Sequence, residues 1–237
     1  MPNMGTIEAI ERAKSYPFRR PQCSYIFTHD HEHLLEGHPD TWEIDLEGLT
    51  PVFGYSSNPS PVALAHKFAA IPEVHIPVIA FEVEGYDAVY SSHISAGYIP
   101  ATIHPSPHTR IQGFMTYLTE QELETMNDSE SRGVNYELLE LDATGRFEDG
   151  TELERPLSYV SLHGQLEIDG ELRAVPGTEA IDRQFAEMDQ RDVLEKVIDE
   201  VAPDVATDQF IGTAIANLTQ RKAWTAKLKE SDLRAGG

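Results

Sequence analysis

The chain has 237 residues, enough for a substantial core, and 40% of them are hydrophobic, which argues against intrinsic disorder. Its formal net charge is −22, from 40 acidic and 18 basic residues, and a surface this negative repels nucleic-acid phosphates and anionic lipid headgroups. We therefore expect no nucleic-acid partner, and no membrane partner either, because no apolar run approaches the ~20 residues that span a bilayer.

The compartment is predicted from two features. Residues 1–20 lack the basic-then-apolar pattern of a secretory signal. The single cysteine, Cys23, cannot form an internal disulfide, as is usual in a reducing compartment. Both features favour the cytoplasm, whereas no pattern in the sequence predicts the oligomeric state.

Residues 1–48 are predicted to form an N-terminal arm that packs on the rest of the chain. Proline and glycine interrupt this segment repeatedly, and only residues 7–15 have the apolar spacing of a helix. A core is expected over residues 49–176, and the remaining residues, 177–237, are expected to form a helical C-terminal extension.

The arm contains a histidine-rich stretch, formed by His29, His31, His33 and His38. Imidazoles and neighbouring carboxylates are ligands for divalent transition metals, so a hydrolytic metal site is one hypothesis. Alternating histidines on a short strand, however, span more distance than a closed tetrahedral site allows. A polar loop or exposed strand is the preferred interpretation, and no metal is predicted.

The core begins with a β-prone run, residues 52–55, which ends in the polar turn Ser56-Ser57-Asn58-Pro59. Ser60 is a favourable N-cap and Pro61 suits the first position of a helix. A strand that runs into such a turn and then into a capped helix brings several backbone N–H groups to one point. That point is suited to a carboxylate, although purely structural turns have the same appearance.

Further β-branched and aromatic runs predict strands over 74–83, 88–94, 101–104, 111–118 and 136–141. Thr119 and Glu122 form a capping box, which predicts a short helix over 120–126. The turn Asp169-Gly170 predicts a hairpin. After it, one apolar stripe over 193–201 and a second over 210–228, separated by Pro203, predict two helices. The fold class is therefore α+β, with a mixed β-sheet or barrel and short flanking helices.

Several of these segments, in this order, resemble the γ-glutamylcyclotransferase-like superfamily over about residues 51–141. That family has a strand that leads into a Tyr-Gly-Ser-Asn motif, which is Tyr55-Ser56-Ser57-Asn58 here. It then has an Ala-Thr segment, here Ala101-Thr102, and a glycine before a hydrophobic strand, here Gly113. A short helix followed by an acidic residue comes next, with Glu130 in that position, and Tyr136 begins the next strand.

The resemblance implies a small-molecule substrate with a γ-glutamyl-like group. It assigns substrate binding to Tyr55, Ser56, Ser57 and Asn58, and the role of general acid and base to Glu130. Tyr55 and Tyr136 are each expected either to contact the substrate or to be ordinary core aromatics with their hydroxyls bonded to the backbone. The implied reaction is attack of the substrate's α-amine on its own γ-carbonyl, which releases 5-oxoproline and an amine without a metal or an organic cofactor.

The loop departs from the family motif at two positions. Ser56 replaces the glycine, so a positive φ at this position would cost about 1–2 kcal/mol. Pro59 removes one backbone donor. These departures motivate the alternative hypothesis of a non-catalytic binding or regulatory module that has retained the same pocket.

Overall fold

The computed structural model describes residues 4–37, 39–231 and 233. In these residues the α-helices are α1 Met4–Lys14, α2 Pro61–Lys67, α3 Glu120–Ser129, α4 Gln190–Val201, α5 Thr207–Ala216 and α6 Leu218–Glu230. The strands are β1 Tyr25–Phe27, β2 Glu32–Leu34, β3 Thr50–Gly54, β4 Ile76–Tyr90, β5 Ala101–Leu118, β6 Tyr136–Glu140, β7 Thr144–Phe147, β8 Glu152–Glu154, β9 Leu157–Ser161, β10 Glu167–Ile168, β11 Glu171–Leu172 and β12 Ala180–Ile181. The fold class is α+β, as predicted. No helix in this part of the chain is long and apolar enough to cross a membrane.

One large mixed sheet organises the molecule. Its main path is β2-β1-β4-β5-β3-β9-β6, while β7 and β8 extend from β4, and β12 pairs with β5. The pair β3 and β9 is parallel, and the other pairs along the path are antiparallel. In the described residues β2 and β6 do not pair with each other, so the sheet is open and does not close into a barrel.

The centre of the sheet is a pair of long strands, β4 and β5, where the sequence predicted four shorter ones. The predicted break near Gly85 is wrong, because the register shift between Glu84 and Tyr86 lets β4 continue through an irregularity. Gly85 adopts φ +86° there, a conformation that glycine tolerates at no steric cost. The predicted break after residue 104 is also wrong, because β5 continues through Pro105, which pairs with Tyr86 beside the irregularity.

Several strands of this sheet have no counterpart in the sequence prediction, namely β1, β7, β8, β9 and β12. Within the predicted arm, β1 pairs with β2 and with β4, so residues 25–34 extend the same sheet as the core. Strand β9 lies between β3 and β6. The division of the chain into an arm, a core and an extension, at residues 48 and 176, stays a prediction.

Helices α3 to α6 follow the predicted capping and periodicity with two differences. The capping box of α3 is present, with Thr119 and Glu122 bonded reciprocally, but the helix runs beyond residue 126 to Ser129. In α4 the predicted apolar stripe is buried. The single helix expected over 210–228 is instead α5 and α6, because Asn217 interrupts it and its side chain accepts a hydrogen bond from the Gln220 N–H to cap α6.

The core lies on both faces of the sheet. Along β3, Val52 belongs to one buried apolar cluster and Phe53 to the other, as alternation in a strand requires. The first cluster, with Val52, also includes Leu64 of α2 and Met126 of α3. The second cluster, with Phe53, includes the buried stripe of α4 and residues of α1, α5 and α6. Strand β3 therefore delivers the 55–58 loop to a point that elements of both clusters surround.

Candidate active site

A cavity of about 340 Å³ lies at the end of β3. Its lining combines residues of α1, the loop after β3, α2, the end of α3 and the start of β6. The residues that the sequence singled out all line it: Tyr55, Ser56, Ser57, Asn58, Glu130 and Tyr136. The structure therefore brings the loop and the acidic residue together, although a strand pair and two helices separate them in the chain. The volume is in the range of small-molecule sites.

The loop is held by hydrogen bonds to distant parts of the chain. The Tyr55 hydroxyl donates to the Tyr159 carbonyl over 2.8 Å, and the Tyr55 carbonyl accepts from the Thr178 hydroxyl over 2.8 Å. Ser60 is at the N-cap of α2 as predicted, but its hydroxyl donates to the Arg19 carbonyl instead of capping the helix. The loop is thus fixed mainly by tertiary contacts.

Ser56, which occupies the position of the family's glycine, is accommodated without the positive φ considered in the sequence analysis. Its hydroxyl lies 2.9 Å from the hydroxyl of Tyr16. The Tyr16 oxygen also accepts a hydrogen bond from the Ala101 N–H over 2.7 Å. Because Tyr16 follows α1 and Ala101 begins β5, this small network ties the arm and the sheet to the loop.

Glu130 is the C-cap residue of α3 and forms an ion pair with Lys67, the last residue of α2. The Lys67 ammonium also donates to the Ser129 hydroxyl over 2.8 Å. The Lys67 and Glu130 side chains are each 12% exposed, and both line the cavity. The ion pair engages Oε1 of Glu130, whereas Oε2 accepts no hydrogen bond from the described residues.

Sequence reasoning did not identify Lys67 as a site residue, although one signal was present. Lys67 lies four positions after the buried Ala63, so the two share a face of α2. A cation on the apolar stripe of a short helix needs an anionic or polar partner when that stripe is buried. The identity of that partner depends on how α2 packs beside α3.

Several tyrosines line the same cavity as Glu130. Burial raises the pKa values of Tyr55, Tyr98, Tyr136 and Tyr159, and the negative charge of Glu130 raises each of them further. These phenols are therefore neutral at physiological pH. The Tyr136 hydroxyl donates to the Ala101 carbonyl over 2.8 Å, so in this state it is bonded to the backbone.

A buried histidine, His93, also lines the cavity and is marked by no sequence motif. Its Nδ1 lies 2.8 Å from the Ser91 hydroxyl, which lies 2.6 Å from the Ser161 hydroxyl. Its ring stacks on His163 with 4.4 Å between centroids. Burial lowers the pKa of His93 well below its usual value and lowers that of His163 to about 4, so both rings are neutral near pH 7.

The histidine-rich stretch of the arm lies apart from this cavity. His29 Nε2 is 2.7 Å from the Ile71 carbonyl, and the rings of His31 and His33 are 3.9 Å apart. His38 lies outside the described residues. In residues 4–37, 39–231 and 233, no group of three or more His, Cys, Asp or Glu side chains is arranged to hold a metal ion.

Comparison with known proteins gives structural likenesses only. No protein-family model and no curated protein matches the chain. Among solved structures, the chain is similar to a gamma-glutamyl cyclotransferase, with a TM-score of 0.40, 13% identity and coverage of 79% of this chain and 90% of the other. It is also similar to an uncharacterized protein from Homo sapiens, with a TM-score of 0.39, 14% identity and coverage of 81% of this chain and 92% of the other. For a protein from Arabidopsis thaliana the TM-score is 0.38 and the identity 20%, and the match covers 50% of this chain and 72% of the other.

These likenesses are too weak to carry an argument about family or function. With TM-scores of 0.40 and below and identities of 20% and below, they assign no activity to this chain. The functional case rests on the cavity itself.

Proposed function

We propose that this protein is a γ-glutamylcyclotransferase-like enzyme that cleaves a γ-glutamyl or similar amide and releases 5-oxoproline and an amine. The observation that supports it best is the meeting of Glu130 and the loop Tyr55 to Asn58 at one cavity. A lone carboxylate beside several hydroxyl, amide and backbone donors is the arrangement that an intramolecular aminolysis needs.

Binding of the substrate's α-carboxylate falls to the loop and the cations near it. Ser56, Ser57 and Asn58 supply side-chain donors, which compensate for the N–H that Pro59 lacks. Arg12 and Lys67 also line the cavity; the charge of Lys67 is balanced by Glu130, so the attraction for an anionic group comes from Arg12. This local positive charge contrasts with the net charge of −22 of the whole chain.

The chemistry falls to Glu130. Its carboxylate accepts a proton from the substrate's α-ammonium, and the amine so formed attacks the γ-carbonyl carbon. When the tetrahedral intermediate collapses, the C–N bond of the amide breaks and the leaving nitrogen takes the proton back from Glu130. The new ring nitrogen then gives its second proton to the Glu130 carboxylate, which passes it to the released amine, so the products are 5-oxoproline and an ammonium ion. A positioned group of this kind contributes roughly 10²–10⁴ in rate, and holding the substrate in a cyclic near-attack shape contributes more. These steps need no metal or organic cofactor.

A second candidate function is a non-catalytic binding module for the same class of small molecule. The ion pair between Lys67 and Glu130 favours it, because a carboxylate already engaged by a lysine is less free to accept a proton from a substrate. In the catalytic proposal the substrate's α-ammonium must approach Oε2, or replace Lys67 at Oε1.

The two candidates are separated by the variant Glu130→Gln, assayed for 5-oxoproline release from a panel of γ-glutamyl amides. We expect turnover to fall at least about 10²-fold, while thermal-shift binding of the same compounds is kept. Glu137→Gln is the matched control, because Glu137 is also ion-paired, with Arg132, but lies outside the cavity. Turnover in Glu130→Gln equal to that of the wild type would contradict the mechanism. Binding by the wild type without any product would favour the binding module.

The compartment and partners belong to the same proposal. The expected partner is the small-molecule substrate. The single cysteine, Cys23, is free in the structure, as the reducing cytoplasm that we propose for the protein allows.

A further inference from the structure

We propose that His93 is a neutral hydrogen-bond donor of the site, whose Nε2–H meets the γ-carbonyl oxygen of the bound amide. This inference rests on the proposed cyclotransferase reaction, but its first part, the tautomer of His93, can be tested without any turnover. Neither the sequence motif nor the likeness to solved structures assigns a role to this residue.

The position of His93 leaves one of its ring nitrogens for a ligand. The side chain is 2% exposed yet lines the cavity. Nδ1 is engaged by the Ser91 hydroxyl. Nε2 has no hydrogen-bond partner among the described residues. It is also not among the fully buried polar atoms that lack a partner, so this nitrogen is accessible from the cavity. It is therefore the nitrogen that meets whatever occupies the cavity.

The tautomer follows from the hydroxyls behind the ring. The Ser161 oxygen accepts a hydrogen bond from the backbone N–H of His163 over 3.1 Å. If Ser161 then donates to Ser91, and Ser91 donates to Nδ1 of His93, both hydroxyl hydrogens have an acceptor. In the reverse direction the Ser161 hydrogen has no acceptor in the described part of the chain. The first arrangement is favoured, because it pairs both hydroxyl hydrogens within the protein, whereas the reverse one leaves the hydrogen of the half-buried Ser161 to solvent. It places the imidazole hydrogen on Nε2.

The surroundings keep the ring neutral and fix its direction. Burial is the main cause that lowers the pKa of His93, and His163, Lys229 and Arg221 lower it further. Its ring packs edge-to-face on Tyr136, 5.5 Å between centroids, and Tyr136 and Glu130 line the same cavity. His93 therefore faces the same space as the proposed acid and base.

A neutral donor suits the chemical requirement at this point. When the α-amine attacks, negative charge develops on the γ-carbonyl oxygen, and a fixed N–H aimed at that oxygen stabilises the transition state more than the ground state. The imidazole gives up no proton, so the proton balance between Glu130 and the two nitrogens is unchanged. In this account Ser91 and Ser161 are positioning residues that hold the ring in its donor form.

The tautomer is tested by ¹⁵N–¹H NMR of the imidazole nitrogens in the wild-type protein near pH 7. We expect a protonated Nε2 and an unprotonated, hydrogen-bonded Nδ1 for His93, with the Nδ1 resonance moving in Ser91→Ala. A hydrogen on Nδ1, or a doubly protonated ring at this pH, would overturn the inference whether or not the protein turns over any amide.

The catalytic part is tested with His93→Phe and His93→Gln, since glutamine keeps a neutral donor. We expect His93→Phe to lower kcat about 10²–10³-fold with KM nearly unchanged, and His93→Gln to recover part of that loss. The control is His104→Phe, because His104 is also partly buried with a lowered pKa but lies outside the cavity. Thermal unfolding of each variant checks that it folds.

The results separate this inference from the proposed function. If Glu130→Gln loses turnover while His93→Phe keeps the wild-type kcat, the role of His93 is overturned and the cyclotransferase stands. If the wild type releases no 5-oxoproline from any γ-glutamyl amide, both the proposed function and the catalytic part of this inference are overturned.

Discussion

Replacing Lys67 with methionine removes the cation that engages Glu130 and tests how the site holds its acid. Methionine has a similar length and helix propensity, so α2 is expected to form as before. The variant leaves the Glu130 carboxylate, 12% exposed in the intact pair, without its ionic partner. Ser129 also loses the ammonium that donates to it.

The size of the effect follows from the burial of the pair. Exposed ion pairs contribute ~0–1 kcal/mol, whereas removing one partner of a fully buried pair costs ~3–5 kcal/mol. At 12% exposure, with the cavity open to water, we expect Lys67→Met to lower the free energy of unfolding by about 2 kcal/mol. For a chain of this size that corresponds to a fall in Tm of about 4–8 °C. We also expect kcat to fall if the substrate's α-ammonium uses Oε2, because Lys67 then holds the carboxylate in position, and an acid misplaced by ~1 Å can cost ~10² in rate.

The measurements are denaturant unfolding and 5-oxoproline release. Lys67→Arg is expected to retain more of both quantities, because it keeps the charge. The matched control is Lys196→Met, since the pair of Lys196 with Asp169 is largely exposed. Its loss is expected to lower the free energy of unfolding by at most about 1 kcal/mol and to leave turnover unchanged. The reasoning is refuted if Lys67→Met has wild-type stability, or if its turnover equals or exceeds that of the wild type.

Two further predictions concern residues that support the cavity. Tyr16→Phe leaves the Ala101 N–H and the Ser56 hydroxyl without their shared partner, so denaturant unfolding should show a loss of about 1–3 kcal/mol; an unchanged stability would mean that the network contributes nothing. The second concerns His163, whose pKa burial lowers to about 4, below the usual 6.5. The stability that its neutral form contributes is therefore fully present above about pH 6.5 and is lost as the pH falls towards 4. In a plot of the free energy of unfolding against pH, His163→Gln should reduce the slope between pH 4 and 6.5. An identical slope in the two proteins would contradict the lowered pKa of His163.

The elements that could be predicted from the sequence depend on local rules. The capping box of Thr119 and Glu122 and the turn after β3 are encoded in a few adjacent residues. The stripe of α4 follows from helical periodicity. The placement of Glu130 after a short helix came from the family pattern. The structure differs only in that the helix continues to Ser129, which makes Glu130 its C-cap residue.

The features that could not be predicted depend on contacts between distant segments. Strand β9 has only five residues, and its place between β3 and β6 is set by pairing that no local pattern records. The breaks predicted within β4 and β5 failed because a local irregularity at Gly85 lets the ladder continue. Lys67 could be identified as a site residue only from the packing of α2 beside α3. His93 could be identified only from the contact between Ser91 and Ser161 and from its place in the cavity lining.

The most direct test of the shared site is a crystal structure of Glu130→Gln with a γ-glutamyl amide bound. The account predicts the α-carboxylate of the ligand at the donors of Ser56, Ser57 and Asn58, with its α-nitrogen within hydrogen-bond distance of residue 130. A ligand bound away from this cavity, or held in it with its α-nitrogen directed away from residue 130, would contradict the account.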